Sequence, residues 1–207
     1  MNKRILMRVD FQNDFVHSDG ALTINQPKLI DKHQQFANSL FSNTFDEIID
    51  TYDTHFADTY QNTLEGKQFP LHCVYGKWGW EQAAPFKENL NVTKMFKSTT
   101  NLWNEENVYD ELKNDWKGKD VYLCGVLSDI CVVQAMNGLL KKGANVIILD
   151  DLCMGIKKQM SDILQKDCYS EFIKEGRLKS ITSQQFFRSI LLDKKIKHNL
   201  VNRSLGE

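Results

Sequence analysis

The chain has 207 residues with only three prolines, the size of one α/β domain, and 42% of its residues are apolar, enough to build a sizeable core. A net charge of −1 with both signs interspersed excludes the one-signed surfaces that bind nucleic acid or a membrane. Its longest apolar runs, such as "NVIIL", are far too short to span a bilayer. "MNKRILMRVD" leads directly into a strand pattern with no secretory signal. The five cysteines are an odd number without a CxxC pair, which predicts reduced thiols in a cytoplasmic protein.

In chain order, "ILMRV" (5–9) reads as a first strand ending at Asp10. "PKLIDKHQQFANSLF" (27–41) reads as a helix whose opening proline suits a first turn. "DEIIDTYDTH" (46–55) is a second strand with a polar end, and residues 56–91 form an irregular segment several-fold longer than an ordinary connection. "NVTKMF" (91–96) predicts a third strand, and "NEENVYDELKNDW" (104–116) a helix with Val108, Leu112 and Trp116 on one face. "DVYLCGV" (120–126) is a buried-strand pattern, followed by a helix from Asp129 to Lys142, with Lys141 and Lys142 in its last turn and Gly143 as its stop. "NVIILD" (145–150) predicts another buried strand, then come a helix at 159–175, a strand at 178–182 and a helix at 183–193. No repeat or composition shift divides the chain, so residues 1–207 read as a single domain. Near-continuous apolar strands alternating with helices predict a three-layer α/β/α sandwich around a mostly parallel sheet of about six strands.

In such folds ligand sites form beyond the carboxyl ends of strands, and Asp10, Asp53, His55 and Cys131 all fall just past predicted strand ends. Cys131 lies in the first turn of its predicted helix, behind Ser128 and Asp129, both good N-cap residues. There the helix dipole and unpaired N–H groups favour thiolate over thiol and can hold an oxyanion. A buried small hydrophobe is the other reading of such a cysteine, and it suits Cys124 in mid-strand; Cys153 and Cys168 show no partner pattern. No Cys–His pair is evident, so the candidate base is a carboxylate, Asp10, with a lysine to keep it ionised. Asp53, His55 and His72 offer one carboxylate and two imidazoles, a set that suits Zn²⁺, Mn²⁺ or Fe²⁺. Solvated polar residues on a loop would have the same spacing.

"DFQNDF" at the first strand end, "DTH" at the second, "FPLHCVYGKWG" in the long segment, a lysine after the third strand and "CGVLSDICVVQAM" together resemble the isochorismatase-like cysteine hydrolases. Within them the pattern is most similar to the nicotinamidases, from about residue 4 to residue 190. The resemblance implies a flavodoxin-like α/β/α fold and an Asp–Lys–Cys triad, by position Asp10, Lys97 and Cys131. Lys94, three residues before Lys97, would face the opposite side of the strand, and Lys97 at the strand end fits the pattern better. It also implies a cis peptide between Val126 and Leu127, with the Leu127 and Cys131 N–H groups as the oxyanion hole. Nicotinamidase-like members carry D-x-H followed by a histidine in a "(W/F)P-x-H-C" context, matched here by "FPLHC". Asp53, His55 and His72 are thus the implied ligands of one divalent metal ion, zinc first, with manganese or iron as alternatives. Cys73 belongs to the pattern but is not a ligand. Phe15 and Phe69 occupy ring-contacting positions, and Trp103 lies near a third, offset from it.

The implied activity is a cysteine amidohydrolase that releases ammonia from nicotinamide or a similar aromatic carboxamide through a thioester. Its expected partners are a small-molecule amide and further copies of the chain, as a dimer or tetramer, with neither nucleic acid nor membrane. Three departures fall in loops expected to line the pocket mouth: Lys77 with Trp78 and Trp80, the "DTHFADTYQNTLEGKQ" segment, and "STTNLW" after Lys97. They bear on substrate identity. Two rival readings stand beside this one. The first is another cysteine hydrolase of the superfamily, acting on a different amide, a ureido compound or an enol ether. The second is a non-enzymatic flavodoxin-like binding or redox-responsive protein whose Cys131 is merely oxidisable.

Overall fold

The computed structural model describes residues 2–192. Among them six strands, β1 (Arg4–Val9), β2 (Glu47–Asp53), β3 (Val92–Lys97), β4 (Asp120–Val126), β5 (Asn145–Met154) and β6 (Leu178–Ile181), form one sheet in the order β3-β2-β1-β4-β5-β6. Every neighbouring pair is parallel. Ile5, Leu6 and Met7 point alternately to opposite faces of β1, yet none is more than 1% exposed, so both faces are covered. This is the expected three-layer parallel arrangement. Its strand order departs from that of flavodoxin, in which β1 lies between β2 and β3. Here β1 lies between β2 and β4, and β3 is an outer edge. Connectivity reverses between β1 and β4, which opens a crevice at their carboxyl ends, where Asp10 and Cys131 stand.

The helical elements are α1 (Asn13–Val16, a single turn), α2 (Pro27–Ser39), α3 (Asp110–Lys113), α4 (Val133–Lys141), α5 (Met160–Leu164), α6 (Ser170–Lys174) and α7 (183–192). Residue 193 of the last predicted helix lies outside the described residues, as does the end of the predicted domain. No described helix is long and apolar enough to cross a membrane.

Several predicted elements come out differently. The 104–116 helix shrinks to a 3-10 turn, Leu102–Glu105, and α3. Tyr109 supplies the reason: its hydroxyl accepts from the Phe96 N–H at 2.6 Å and donates to the Phe96 carbonyl at 3.1 Å, satisfying the open edge of β3. Leu112 and Trp116 are buried, but Val108 is 67% exposed. The helix expected from Asp129 starts instead as a wide π turn, Ser128–Val132, and becomes α4 only at Val133. The 159–175 helix breaks into α5, a 3-10 turn (Asp167–Tyr169) and α6, as the chain turns to bury Tyr169, whose hydroxyl donates to Asn137 of α4. β5 runs four residues past its expected end, because Cys153 and Met154 pair with Gly125 and Val126 beyond a bulge. Gly125 (φ +119) lies where a Cβ would strike the Val9 backbone, so β1 and β4 meet closely just below the crevice.

Candidate active site

Asp10 follows β1 with φ +48, a left-handed conformation that non-glycine residues seldom adopt. Thr51 of β2 holds it there. The Asp10 N–H donates to Thr51 Oγ1 (3.1 Å), and the Thr51 hydroxyl donates back to Asp10 Oδ1 (2.6 Å). The second carboxylate oxygen lies 2.7 Å from Lys97 Nζ at the end of β3. That buried ammonium also meets the Thr99 carbonyl at 3.0 Å, Asp53 Oδ1 at 3.4 Å and Cys131 Sγ at 3.9 Å. Lys94 points the other way: it is exposed and lies over the Tyr52 ring.

Cys131 sits inside the π turn rather than in a first α-helical turn. The Leu127 carbonyl accepts from both the Ile130 N–H (3.0 Å) and the Val132 N–H (3.1 Å), and the preceding Val126–Leu127 peptide is cis. Neither Ser128 nor Asp129 caps this turn through its side chain, contrary to the sequence expectation. The expected dipole-lowered thiol is corrected as well. Burial pushes the Cys131 thiol well above its ordinary range; Lys97 opposes this, and the Asp10 carboxylate adds to it. Burial likewise raises Asp10, against the pull of Lys97 and with a further push from Asp53. Lys97 is disfavoured as a cation by burial, but Asp10 and Asp53 overcome this and hold it charged. A neutral thiol, a carboxylate of enhanced basicity and a fixed ammonium thus lie in one contact. Such a group can pass a proton from sulfur to carboxylate when an electrophile arrives.

A second cluster adjoins it. Asp53 Oδ2 lies 3.1 Å from His55 Nε2 and 3.0 Å from His72 Nε2, and Glu65 Oε2 lies 3.1 Å from His55 Nε2. The four buried side chains present ligand atoms within 4.8 Å of one another. His72 Nδ1 faces the Pro70 carbonyl (2.8 Å) and the Tyr60 hydroxyl (3.1 Å); donating to the carbonyl leaves the Nε2 lone pair directed at the cluster. Asp14 fixes the next residue, accepting from the Cys73 N–H at 2.6 Å, and Cys73 stays outside the cluster. Gln12 pins Asp53 by accepting from its N–H (2.8 Å) and donating to its carbonyl (2.9 Å). Asp53, despite burial, is held below the usual carboxylate range by Lys97, His55 and His72. His55, which burial alone would lower, is raised to about 9 by Asp53 and Glu65. Neither Glu65 oxygen has an aligned hydrogen-bond donor among the described residues, although His55 is within ion-pair range. A buried carboxylate so placed calls for a cation, and two imidazoles with two carboxylates fit a divalent metal ion of the zinc type. Glu65 was absent from the sequence-derived set. It lies in the irregular segment seven residues before His72, in "LEGKQFPLH", where no spacing marks it.

Between thiol and cluster lies a small cavity walled by Phe15, Leu22, Phe69, Val126, Leu127, Ile130 and Ile156, with Cys131 at one side, Asp53, Glu65 and His72 at another, and Thr100 completing the lining. Phe15 and Phe69 stand edge-on to the His72 ring, at centroid distances of 5.4 and 6.5 Å. Trp103, expected near the substrate, does not line this cavity. It packs on α4 at Gly138, where any Cβ would collide with the indole, and its Nε1–H donates to the Gln134 and Ala135 carbonyls at 3.2 and 3.3 Å. Thr100 takes the wall position instead. Lys77, Trp78 and Trp80 are also absent from the lining, which corrects their expected place at the pocket mouth. Trp80 packs among Tyr52, Tyr75 and Phe96, and Trp78 stands on the surface edge-on to His17.

Comparison with known proteins follows the same line. A family profile described as the isochorismatase domain matches residues 4–176. A Bacillus subtilis protein described as an uncharacterized isochorismatase family protein, PncA, is 27% identical over 155 residues, covering 70% of this chain and 83% of its own. Pyrococcus horikoshii pyrazinamidase, solved in complex with zinc, is 25% identical with a TM-score of 0.65, over 87% of this chain and 99% of its own. PnC1 from L. infantum, solved in complex with nicotinate, is 21% identical with a TM-score of 0.63, over 88% of this chain and 94% of its own, and shows the fold alone. With the domain match spanning most of its length, the chain belongs to the isochorismatase family and is one of its hydrolases.

Proposed function

We propose that the protein is a cysteine amidohydrolase that converts nicotinamide, or a similar aromatic carboxamide, to the acid and ammonia. One observation carries this reading: the Asp10–Lys97 pair at 2.7 Å, in contact with Cys131, opens on an apolar cavity that ends at a cluster of metal-ligand type. Asp10 takes the Cys131 proton as the sulfur attacks the amide carbon, and the Leu127 and Cys131 N–H groups hold the oxyanion. Asp10 then returns the proton to the departing ammonia, and a water molecule, deprotonated in turn by Asp10, hydrolyses the thioester. Lys97 keeps Asp10 oriented and offsets its charge throughout. Asp53, His55, Glu65 and His72 would hold a divalent metal ion, zinc by the chemistry of the set, which would supply a Lewis acid for orienting the substrate ring. The zinc in the Pyrococcus horikoshii pyrazinamidase supports that choice. Phe15 and Phe69 wall the aromatic ring.

The test is turnover by metal-replete protein, read as ammonia release from nicotinamide, a panel of other amides and a ureido compound, and as carbonyl release from an enol ether. Turnover of nicotinamide at the highest kcat/KM is the expected result. No ammonia from nicotinamide, with Cys131 shown to be reduced, sinks the reading. Turnover of another panel member alone transfers the proposal to the rival hydrolase class. No turnover of any substrate favours the binding or redox protein, in which Asp10→Asn would behave as wild type.

A further inference from the structure

Asp129, two residues before Cys131, turns its carboxylate away from its own helix and toward the segment that follows β5. Oδ1 accepts from the Ile156 N–H at 3.1 Å, and Oδ2 accepts from the Lys157 and Lys158 N–H groups at 2.8 and 3.3 Å. On either side, the Gly155 N–H donates to Gln159 Oε1 (3.1 Å) and the Gln159 N–H to Asp162 Oδ2 (2.9 Å). Five successive amides, 155 to 159, therefore end on side-chain oxygens, and the middle three all end on Asp129. A turn held in this way depends on one carboxylate for its shape. Gly155 makes room for it: a Cβ there would strike the Lys158 carbonyl and come within 2.8 Å of Asp129 Oδ1.

What the turn carries is Ile156. The residue is 57% exposed, yet it lines the Cys131 cavity. Ile156 and Leu22 also line an open groove of about 580 Å³ between residues 20–26 and 154–156. The cavity that holds Cys131 measures only about 60 Å³. Leu22 and Ile156 line both spaces, which places them where the cavity and the groove adjoin.

We propose that Asp129 is a positioning residue that clamps the 155–158 turn so that Ile156 closes the Cys131 cavity toward this groove, limiting the size of the molecule admitted to the thiol. Only the consequence for substrates rests on the amidohydrolase reading; access to Cys131 does not. Loosening the clamp joins the cavity to the groove and favours bulky reagents over small ones.

The experiment compares alkylation of Cys131 by iodoacetamide and by N-phenylmaleimide, followed by mass spectrometry of the Cys131 peptide. It uses the full chain in a Cys168→Ser background, because Cys168 is the exposed thiol among the described residues. Taking the ratio of the two rates cancels changes in thiol acidity. Asp129→Asn and Ile156→Ala are each expected to raise the maleimide-to-iodoacetamide ratio at least about fivefold. The double variant should add little to Ile156→Ala alone, since one residue acts through the other. If Asp129→Asn does not fold, Gly155→Ala forces the turn apart with the carboxylate still present and should move the ratio the same way. An unchanged ratio in the folded clamp variant or in Ile156→Ala, or effects that multiply in the double variant, overturns the proposal. Absence of amide turnover would overturn the assigned function while the alkylation ratio still decides on the clamp.

Discussion

Lys97 stands between two regions assembled by different means. On one side, Asp10, Lys97 and Cys131 each come from the carboxyl end of a paired strand, or from the turn directly after one, and the register of the parallel sheet sets their approach. On the other side only Asp53 ends a strand. His55, Glu65 and His72 arrive from residues 54–91: His55 is tied to the Cys73 carbonyl and the Tyr75 N–H by a short backbone bridge, Tyr60 meets the His72 ring, and Asp14 holds the Cys73 N–H beside it. The first region is therefore as rigid as the sheet. The second is as well placed only as long as its loop is ordered. Substitutions in the first should change chemistry with the fold intact, whereas those in the second should change affinity and local order.

The sharpest division comes from Cys131→Ala. On the assigned mechanism it lowers turnover at least about 10⁴-fold, with circular dichroism and metal stoichiometry unchanged. Residual turnover within tenfold of wild type would remove the thiol from the chemistry. Next, Asp10→Asn is expected to lower kcat by about 10²–10⁴-fold. The pH profile supplies the sign. Asp10 must be ionised to accept the proton, and burial raises it above the ordinary 3.8, so kcat/KM should fall as pH drops through a value above 3.8. An acid limb at or below 3.8, or one that survives in Asp10→Asn, would assign the base elsewhere.

Glu65→Gln tests the second region by itself. Losing one carboxylate from the cluster should weaken zinc binding by about 10–100-fold, measured by competition with a chromogenic chelator. The iodoacetamide rate at Cys131 should stay within about twofold, because Glu65 touches His55 and not Lys97. A large change in that rate would show that the two regions are not separable across the ammonium.

What the chain reveals in one dimension follows the same division. Strands buried on both faces leave continuous apolar runs, so β1, β2, β4 and β5 and the polar residues at their ends are legible from pattern alone. Lys97 is separable from Lys94 because strand parity puts residues three apart on opposite sides. The setting of Cys131 is not legible in this way: hydrogen bonding that widens a first turn into a π turn, and the burial that raises one thiol, leave no mark on spacing. Glu65 was missed because an irregular segment has no period to read. The 104–116 helix failed for a long-range reason, since Tyr109 answers the needs of an edge strand that the local sequence does not mention.

Trp103 carries the smallest predicted effect and the cleanest discrimination between sequence proximity and spatial proximity. It lies six residues after Lys97, near a ring-contacting position by resemblance, yet the notch at Gly138 and two carbonyls of α4 draw its indole onto that helix. Trp103→Phe keeps an aromatic face in the notch and removes one N–H shared between two acceptors. The expected loss is about 1 kcal/mol in denaturant unfolding, the ordinary net worth of one hydrogen bond. Because Thr100 and not Trp103 faces the cavity, KM for the amide should stay within about twofold. A several-fold rise in KM without that loss of stability would return Trp103 to the substrate. A loss of stability alone leaves it as a tie between the segment after β3 and the helix that follows the nucleophile turn.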